Sequence, residues 1–434
     1  MNTEGLIAAA GGLVKELQGR INGGGMDLQE AEARILEMVN WIGDEMVQEV
    51  VAGLAEPTSA NQITVDGEVA VFERVRNLRF INRFGEEVVH PRRCYRYRHR
   101  SGGVAPLDVK LGIDGCFGFS PLMTYLICML GADESYAGAA AKLEAMLGFK
   151  VSSTAVQRTT EKTGERIPDA PDELIDEQRQ QQPCSLMVVE VDGTTSPQIT
   201  EQEGVTGLAS LRAPTCYKEC NLIVIEKHSD GKVIDRWTGG RYGPRCEFAG
   251  YAEQAGLRMG FLDAPRTLFL GDGAHHNWEL QQTHFPGAIP ILDYYHAAEH
   301  LADYCKLLPA PLRGAVERCL STMMWEGEVL QMIHEMKRSL SKVTDTDEAW
   351  KQINYFTNNQ DRMDYARYRD LGWPIGSGLV EGQCKLVVGR RFKGNGMRWR
   401  PHDNRCVLRT RLALLNGDLK RYFSPPVDRE IKAA

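Results

Sequence analysis

The sequence predicts an α/β protein whose second half contains a mixed β-sheet. The prediction depends mainly on three apolar stretches of strand length, which end on Asp192, Asp272 and Asp293. A single junction of this kind is typical of a buried strand that leads into a capped helix. Three such junctions in one chain suggest a common cause.

Composition indicates a soluble globular protein. The chain has 434 residues, of which 43% are hydrophobic and 25% charged, and this length suggests two or three domains. The longest apolar stretch, residues 121–132, is shorter than the roughly 20 residues of a membrane helix, and no basic region typical of a secretory signal precedes the first apolar patch. Eleven cysteines without paired spacing are typical of reduced thiols. We therefore expect a cytoplasmic protein without membrane association.

The first half of the chain changes from helical to β and back to helical patterning. Apolar spacing predicts an amphipathic helix over residues 26–55, and alternation predicts a small β module over residues 62–100. Residues 135–166 predict two helices, with Ser152 or Ser153 capping the second. This pattern fits a helix-turn-helix that enters the DNA major groove, and a plain helical hairpin has the same signature. The outward residues of the second helix are Gln157, Arg158 and Lys162.

The second half begins with three apolar strands, after which strands and helices alternate. This order describes an RNase H-like mixed sheet of five strands. A linker rich in Pro and charge is expected at 168–183, and a wholly helical region at 308–370, in which residues 312–340 form one long element. The predicted strands are 186–192, 219–227, 232–238, 266–271 and 289–293, and the predicted helices are 245–258, 276–284 and 296–307.

These elements define the expected domains. No internal repeat or low-complexity tract is visible. The expected order is an N-terminal helical segment at 1–60, a small β module at 61–103, a helix-turn-helix-like DNA-binding region at 104–180, an RNase H-like core at 185–307 and 371–415, a helical insertion at 308–370 and a C-terminal tail at 416–434.

Asp192 and Asp272 are the first candidates for a metal site. The first and fourth strands of such a sheet are neighbours, so carboxylates at their adjacent ends lie within reach of one cation. Glu381, on a helix that Ser377 is placed to cap, is the third candidate. We expect Asp192, Asp272 and Glu381 to bind two Mg²⁺ or Mn²⁺ ions, which would activate the attacking oxygen and stabilise the leaving oxygen of a phosphoryl transfer.

Asp293 competes with Asp272 for the second position, because it also ends a strand. Its strand lies one place further out in the sheet, so Asp272 ranks first. Asp293 and His296 form a D-x-x-H pair at a strand-to-helix turn. We expect this pair to have a supporting role.

Several motifs resemble one known family. The chain contains VDGT from residue 191, GDGAHHNW from 271, LDYYHAAEHL from 292, RMDYARYRDLGWPIGSGLVEGQCK from 362 and GRRFKGNGMRWR from 389. From roughly residue 104 to 415 the chain resembles the DDE transposases of bacterial insertion sequences, of the Kra-type group related to Mutator-like transposases. The resemblance implies an RNase H-like core that holds three acids, with a helical insertion before the Glu. Relatives have a Cys-based zinc ribbon in the β module, whereas this chain has only Cys94 there, so we expect no structural zinc.

The resemblance implies a transposase that binds terminal inverted repeats, hydrolyses a phosphodiester and joins the 3′-OH to target DNA. Its expected partners are double-stranded DNA and further copies of the same chain, as a homo-oligomer on DNA. A basic run near the C-terminus is expected to hold phosphates, and a solvated helix face is the alternative. An RNase H-like metal nuclease and a non-catalytic DNA-binding protein derived from a transposase stay open as functions. The phosphate-binding candidates are Lys385, Arg390, Arg391, Lys393 and Arg398.

Overall fold

The structure is a computed structural model, and its described residues form a mixed α/β protein with two five-stranded sheets. This confirms the predicted α/β class. The chain divides into two compact units, of which the first comprises 1–167 with 413–434 and the second 168–412. Among the described helices, none combines the length and the apolar character needed to cross a membrane. The described residues are 3–113, 116–200, 213–423 and 431–433.

The strands fall into one sheet per unit. The first sheet has the order β10-β1-β2-β3-β4, and the second has the order β7-β6-β5-β8-β9. In chain order the strands are β1 (Gln62–Val65), β2 (Glu68–Ile81), β3 (Glu87–Tyr97), β4 (Gly103–Val104), β5 (Leu186–Ile199), β6 (Thr215–Ser229), β7 (Lys232–Tyr242), β8 (Thr267–Gly271), β9 (Ile289–Leu292) and β10 (Ile431–Ala433).

Helices make up most of the remaining described chain. The α-helices are α1 (Thr3–Asn22), α2 (Leu28–Ala52), α3 (Pro106–Leu111), α4 (Pro121–Asp133), α5 (Tyr136–Leu147), α6 (Ser153–Arg166), α7 (Pro171–Leu174), α8 (Glu177–Gln181), α9 (Arg245–Arg258), α10 (His275–His284), α11 (Tyr294–Lys306), α12 (Ala310–Trp325), α13 (Val329–Arg338), α14 (Thr346–Asn359), α15 (Tyr365–Asp370), α16 (Gly378–Gln383), α17 (Arg390–Phe392) and α18 (Pro401–Leu415). A π-helix joins α16 to α17, and short 3₁₀ turns cover Leu340–Lys342, Gln360–Arg362 and Leu419–Tyr422.

In the first unit, α5 and α6 form the expected pair of helices. Gly148 ends α5 in the left-handed conformation, with φ +77°. Ser152 caps α6, because its hydroxyl accepts a hydrogen bond from the backbone N–H of Ala155 at 3.1 Å. Arg158 and Lys162 are exposed on α6, as the sequence predicts, whereas Gln157 is half-buried.

The C-terminal tail is not a separate segment, which corrects one predicted domain. Strand β10 pairs antiparallel with β1, so that Ile63 lies opposite Ala433. The alternation of β1 is too short to indicate a partner so distant in sequence, because strand pairing is set by tertiary contacts as well as by local pattern. Strand β10 therefore extends the sheet of the β module.

In the second unit, β5, β6 and β7 are antiparallel, and β5, β8 and β9 are parallel. All five residues of β8 are buried, as is typical of a parallel strand covered on both faces. Strand β5 continues to Ile199, because β6 pairs with it along its whole length. Asp192 consequently lies within a strand and not at its end, which corrects the predicted boundary at 192.

The predicted linker at 168–183 contains helices α7 and α8, which is a second correction. Asp176 caps α8 by accepting a hydrogen bond from the backbone N–H of Arg179 at 2.9 Å. The amine of Lys227, which is 1% exposed, donates hydrogen bonds to the carbonyls of Arg179, Gln180 and Gln182. A buried amine that binds the last carbonyls of a helix explains why this charge-rich segment is ordered.

The helical insertion is divided further than the sequence predicts. Residues 312–340 do not form one long helix, because the chain turns between α12 and α13 at Gly327, where φ is +76°. Only glycine adopts this conformation without strain. The turn lets α13 fold back and pack against both α12 and α14.

Gly273, in the turn after β8, gives a prediction about stability. Its φ is +93°, and a methyl group added there would lie 2.7 Å from Cε2 of Tyr355. Gly273→Ala should therefore destabilise the second unit by about 1–3 kcal/mol, measured by chemical denaturation. Gly250→Ala is the matched control, because it lies in α9 with no atom within 4 Å of the added methyl group. If the two variants were equally stable, the backbone conformation at residue 273 would not require glycine.

Candidate active site

Strand register brings Asp192 and Asp272 side by side. The last paired residues of β5 and β8 are Glu190 and Leu270, and the two aspartates follow each of them by two positions. Parallel strands lie about 4.8 Å apart, so the two carboxylates emerge next to each other. The prediction that the first and fourth strands are neighbours is confirmed, and the assignment of Asp192 and Asp272 to one metal site stays a prediction.

Asp293 extends this row of acids to a third strand. Gly271 of β8 pairs with Leu292 of β9, and the backbone N–H of Asp293 donates to the carbonyl of Gly271 at 2.9 Å. Asp272 therefore lies between Asp192 and Asp293 along the sheet edge. Local environment then distinguishes the three carboxylates.

Asp192 is half-buried, and burial raises the pKa of its carboxyl group. The hydrogen bonds from the backbone N–H of Gly193 (2.7 Å) and from the thiol of Cys384 act in the opposite direction, and the charge of Asp272 raises the pKa further. Repulsion between two adjacent carboxylates is what a bound cation relieves. Cys384 is a contact that the sequence analysis did not predict, and nothing in its local pattern indicates it.

Asp272 has one oxygen engaged and one available. Its Oδ1 accepts hydrogen bonds from the backbone N–H of Ala274 at 3.0 Å and from the side-chain amide of Asn277 at 2.9 Å. Its Oδ2 accepts none from the residues that the structure describes. The hydroxyl of Tyr355, in the helical insertion, donates to the backbone carbonyl of Asp272 at 3.0 Å. The insertion therefore helps to hold this turn in place.

Asp293 is buried and fully hydrogen-bonded. Its Oδ1 accepts from the backbone N–H groups of Tyr295 and His296, and its Oδ2 accepts from both the backbone N–H and the hydroxyl of Ser377. Burial opposes ionisation, but the hydrogen bonds from His296 and Ser377 outweigh it and lower the pKa of Asp293 to about 2. Asp293 thus caps α11 and anchors the chain before α16. The predicted side-chain cap by Ser377 is wrong, because its hydroxyl binds Asp293 instead.

Glu190 is a second anchor, which the sequence analysis missed. It is 3% exposed, and its Oε2 accepts a hydrogen bond from the backbone N–H of Val380 at 2.9 Å. Burial raises the pKa of Glu190 to about 8. The sequence signal was an acid inside the apolar strand, two residues before Asp192 and hence on the same face. Glu190 and Asp293 together hold the helix that carries Glu381.

Glu381 projects from α16 beside His296 and Lys385. Its Oε1 lies 3.7 Å from Nδ1 of His296, and its Oε2 lies 3.7 Å from Nζ of Lys385. Nδ1 of His296 is also 3.6 Å from Oδ2 of Asp293, and this carboxylate raises the pKa of His296 to about 9. The ligand atoms of Asp293, His296 and Glu381 lie within 4.8 Å of one another. The carboxylates of Asp192, Asp272 and Glu381, which are also among the described residues, do not form a group as close as this.

The donor set fits hard divalent cations. Asp192, Asp272 and Glu381 contribute carboxylate oxygens, the ligands that Mg²⁺ and Mn²⁺ prefer, and Asp272 Oδ2 accepts no hydrogen bond from the described residues. A two-metal site spans ions roughly 3.5–4 Å apart, so its outer ligands need not converge on one point. Asp293, with both oxygens engaged, fits a supporting role better than a ligand role.

Glu381 lies just before an irregular stretch of helix. The π-helix Cys384–Gly389 interrupts the chain between α16 and α17 and packs against β5. Single π-helical turns within α-helices are found frequently at functional sites. Here the irregular turn brings the thiol of Cys384 to Asp192.

The predicted phosphate-binding residues differ in exposure. Lys385, Arg390, Lys393 and Arg398 are exposed, and the amine of Lys393 donates to the hydroxyl of Thr194 at 2.7 Å. Arg391 is only 1% exposed, and its guanidinium lies 4.7 Å from the ring centroid of Trp399. The DNA-binding assignment of Arg391 is therefore corrected, because its aliphatic stem and cation belong to the core of the unit.

Sequence comparison relates the chain to one family. Residues 21–208 match the model of UPF0236, an uncharacterised protein family. The matched region is less than half of the chain and includes Asp192 but neither Asp272 nor Glu381. No curated protein matches the sequence. The chain is thus similar to UPF0236 from the end of α1 to beyond the strand that carries the first acid.

Proposed function

We propose that this protein is a DDE transposase with an RNase H-like catalytic domain. The observation that carries the proposal is the adjacency of Asp192 and Asp272 on neighbouring parallel strands, with Glu381 on a helix held against the same sheet. The sheet order β7-β6-β5-β8-β9, in which β7, β6 and β5 are antiparallel and β8 and β9 run parallel to β5, supports the RNase H-like assignment. The long helical insertion before Glu381 supports the transposase over other enzymes of that fold.

In the proposed mechanism, Asp192, Asp272 and Glu381 hold two Mg²⁺ or Mn²⁺ ions. When bound, these ions supply Lewis-acid activation of the attacking oxygen and stabilisation of the leaving oxygen. Lys385 and Lys393, both exposed beside the acids, bind the phosphates on either side of the scissile bond. Hydrolysis first releases a 3′-OH, which the same site then directs onto a target phosphodiester.

We assign DNA sequence recognition to α6. A Ser-capped helix after a short turn, with Arg158 and Lys162 exposed, has the composition of a helix that binds base edges in the major groove. The partners of the protein would be its terminal inverted repeats, target DNA and further copies of itself. Such a protein acts on DNA in the bacterial cytoplasm.

A metal nuclease is the second candidate, because the same fold and acids support simple hydrolysis. The two functions differ in product. A supercoiled plasmid that carries the DNA flanking the gene on both sides would be incubated with the protein and Mg²⁺. A transposase yields free 3′-OH ends at the element boundary and joined products, whereas a nuclease yields cleavage without joining. Binding without either reaction would leave only a DNA-binding protein.

Glu190 gives a prediction about positioning. Glu190→Gln keeps an oxygen that accepts from Val380, so its cleavage rate should stay within a few-fold of wild type. Glu190→Leu removes the acceptor and frees the start of α16, and a shift of about 1 Å at Glu381 should lower cleavage by roughly 10²-fold. It should also raise the Mg²⁺ concentration needed for half-maximal rate. Equal rates for the two variants would show that the hydrogen bond does not position Glu381.

Arg158 gives a prediction about sequence specificity. Arg158→Ala should relax base preference at one or two positions of the terminal repeat, because a good bidentate contact is worth about 1–3 kcal/mol of discrimination. Binding-site selection from a randomised repeat measures the change. Lys142→Ala, an exposed cation on the preceding helix α5, is the matched control and should leave preference intact. If both variants keep wild-type preference, α5 and α6 form a plain helical hairpin.

A further inference from the structure

The β module contains an open cavity of about 610 Å³, which we call the arginine cavity. It lies on the face of β2 and β3 beside β4 and α3. Four arginines line it against two acids, so its lining carries an excess of positive charge. The charged residues are Arg76, Arg92, Arg96, Arg100, Glu73 and Asp108.

Strand pairing concentrates the arginines. Arg76 of β2 lies directly opposite Arg92 of β3, a pairing of like charges that is unfavourable unless acids or a bound anion compensate it. Asp108 compensates Arg92, with 2.5 Å between its Oδ1 and Nε of Arg92, and both side chains are largely buried. The ion pair of Arg76 is longer, with 3.9 Å between its guanidinium and the carboxylate of Glu73.

The three outer arginines face solvent. Arg76 and Arg96 share one acidic partner, whereas Arg100 pairs with Glu68 at 2.7 Å and lies over the ring of Tyr97. A single carboxylate, that of Glu73, lies 3.0 Å from Arg96 and 3.9 Å from Arg76. The side chains of Arg76, Arg96 and Arg100 are 50%, 73% and 51% exposed. Exposed pairs of this kind are weak, so these guanidiniums are free to exchange an acid for a phosphate.

The rim and the floor of the cavity indicate what occupies it. Gly102, with φ +98°, and Gly103, the first residue of β4, line the cavity without side chains, so a ligand meets only backbone there. Tyr95 and Tyr97 are 1% and 8% exposed, which leaves their rings unable to stack on unpaired bases. Guanidiniums without stacking rings suit the phosphates of a duplex better than a single strand.

We propose that the arginine cavity binds backbone phosphates of duplex DNA, independently of sequence, through Arg76, Arg96 and Arg100. The cavity shares no residue with α6 or with the candidate active site, and it holds the duplex whether or not the acids cleave it. The inference rests on the proposed function only in taking DNA as the ligand.

The first test measures the salt dependence of binding with the full-length chain. A triple variant, Arg76→Gln with Arg96→Gln and Arg100→Gln, is titrated with a random-sequence duplex over a range of salt concentrations. The slope of log K against log salt should decrease by about 0.9 for each lost contact, or about 2.7 for three. The matched control replaces Lys306, Arg338 and Lys351 by Gln, which are 72%, 67% and 73% exposed and each paired with one acid. Its slope should equal that of wild type.

The second test uses Cys94, which is half-buried in the arginine cavity, as an internal reporter. Duplex DNA should slow alkylation of Cys94, followed by mass spectrometry, and should leave the exposed Cys319 unaffected. The proposal would be overturned if the slope of log K against log salt were the same in the triple variant and the wild type. It would also be overturned if single-stranded DNA or polyglutamate protected Cys94 as well as duplex DNA does. If the triple variant has a reduced slope but the wild-type protein does not cleave DNA, only the catalytic function is refuted. If the wild-type protein cleaves DNA but the slope of the triple variant is unchanged, only the role of the arginine cavity is refuted.

Discussion

Asp192→Asn, Asp272→Asn and Glu381→Gln should each reduce DNA cleavage and strand transfer by at least roughly 10³-fold and leave DNA binding nearly intact. Each substitution removes a charged oxygen that is proposed to bind a metal ion, and such ions contribute several kcal/mol to transition-state stabilisation. None removes a proposed phosphate-binding cation. Single-turnover cleavage of a terminal-repeat duplex, with binding measured in parallel by fluorescence anisotropy, gives both quantities.

The matched control for these substitutions is Asp303→Asn, on the exposed face of α11, where the carboxylate pairs with Lys306 at 2.7 Å. It should leave cleavage unchanged. If cleavage and binding fall together in a proposed ligand variant, the defect lies in folding. If Asp272→Asn stays active, Asp272 is not a metal ligand. The group of Asp293, His296 and Glu381 then becomes the alternative metal site.

Much of the fold could be predicted because its signals are local. Helix α9 was predicted at its observed limits, and β8, α10 and β9 were predicted within one residue, because apolar periodicity and turn residues bound these elements clearly. The length of β5 was missed, since its continuation past Asp192 depends on pairing with β6. The pairing of β10 with β1 was missed for the same reason. Pairing between distant segments leaves no local trace.

The candidate site was predictable where strand register determines it. Asp192 and Asp272 each come directly after a run of apolar residues, so the sequence could indicate that they lie on neighbouring strands, even though Asp192 itself lies inside β5. The residues that hold Glu381 in place could not, because the contacts of Glu190 with Val380 and of Asp293 with Ser377 span 190 and 84 residues. Arg391 was misassigned because a run of cations does not show which member points inward.

Asp293→Asn should be among the most destabilising single changes in the second unit, although sequence alone predicts a milder effect on activity than for the three proposed metal ligands. The carboxylate accepts hydrogen bonds from three backbone N–H groups and one hydroxyl while fully buried. An amide has only one accepting oxygen and turns its own N–H₂ toward donors. We expect a loss of about 3–5 kcal/mol in the free energy of unfolding, against less than about 0.5 kcal/mol for Asp303→Asn.

The pH dependence of stability provides an independent check of this role. The pKa of Asp293 in the folded protein, about 2, lies below its ordinary value of 3.8, so the unfolded chain binds more protons between these values. The stabilisation is therefore complete above about pH 5 and is lost as the pH falls through about 2, a full difference of about 2.5 kcal/mol. Between pH 5 and 2, wild type should lose about 2 kcal/mol more stability than Asp293→Asn, because about half of the Asp293 carboxyl groups in the folded protein are still ionised at pH 2 and all other carboxyl groups are common to both proteins. Parallel unfolding curves for the two proteins over this range would show that Asp293 is not the charged anchor of α11 and α16.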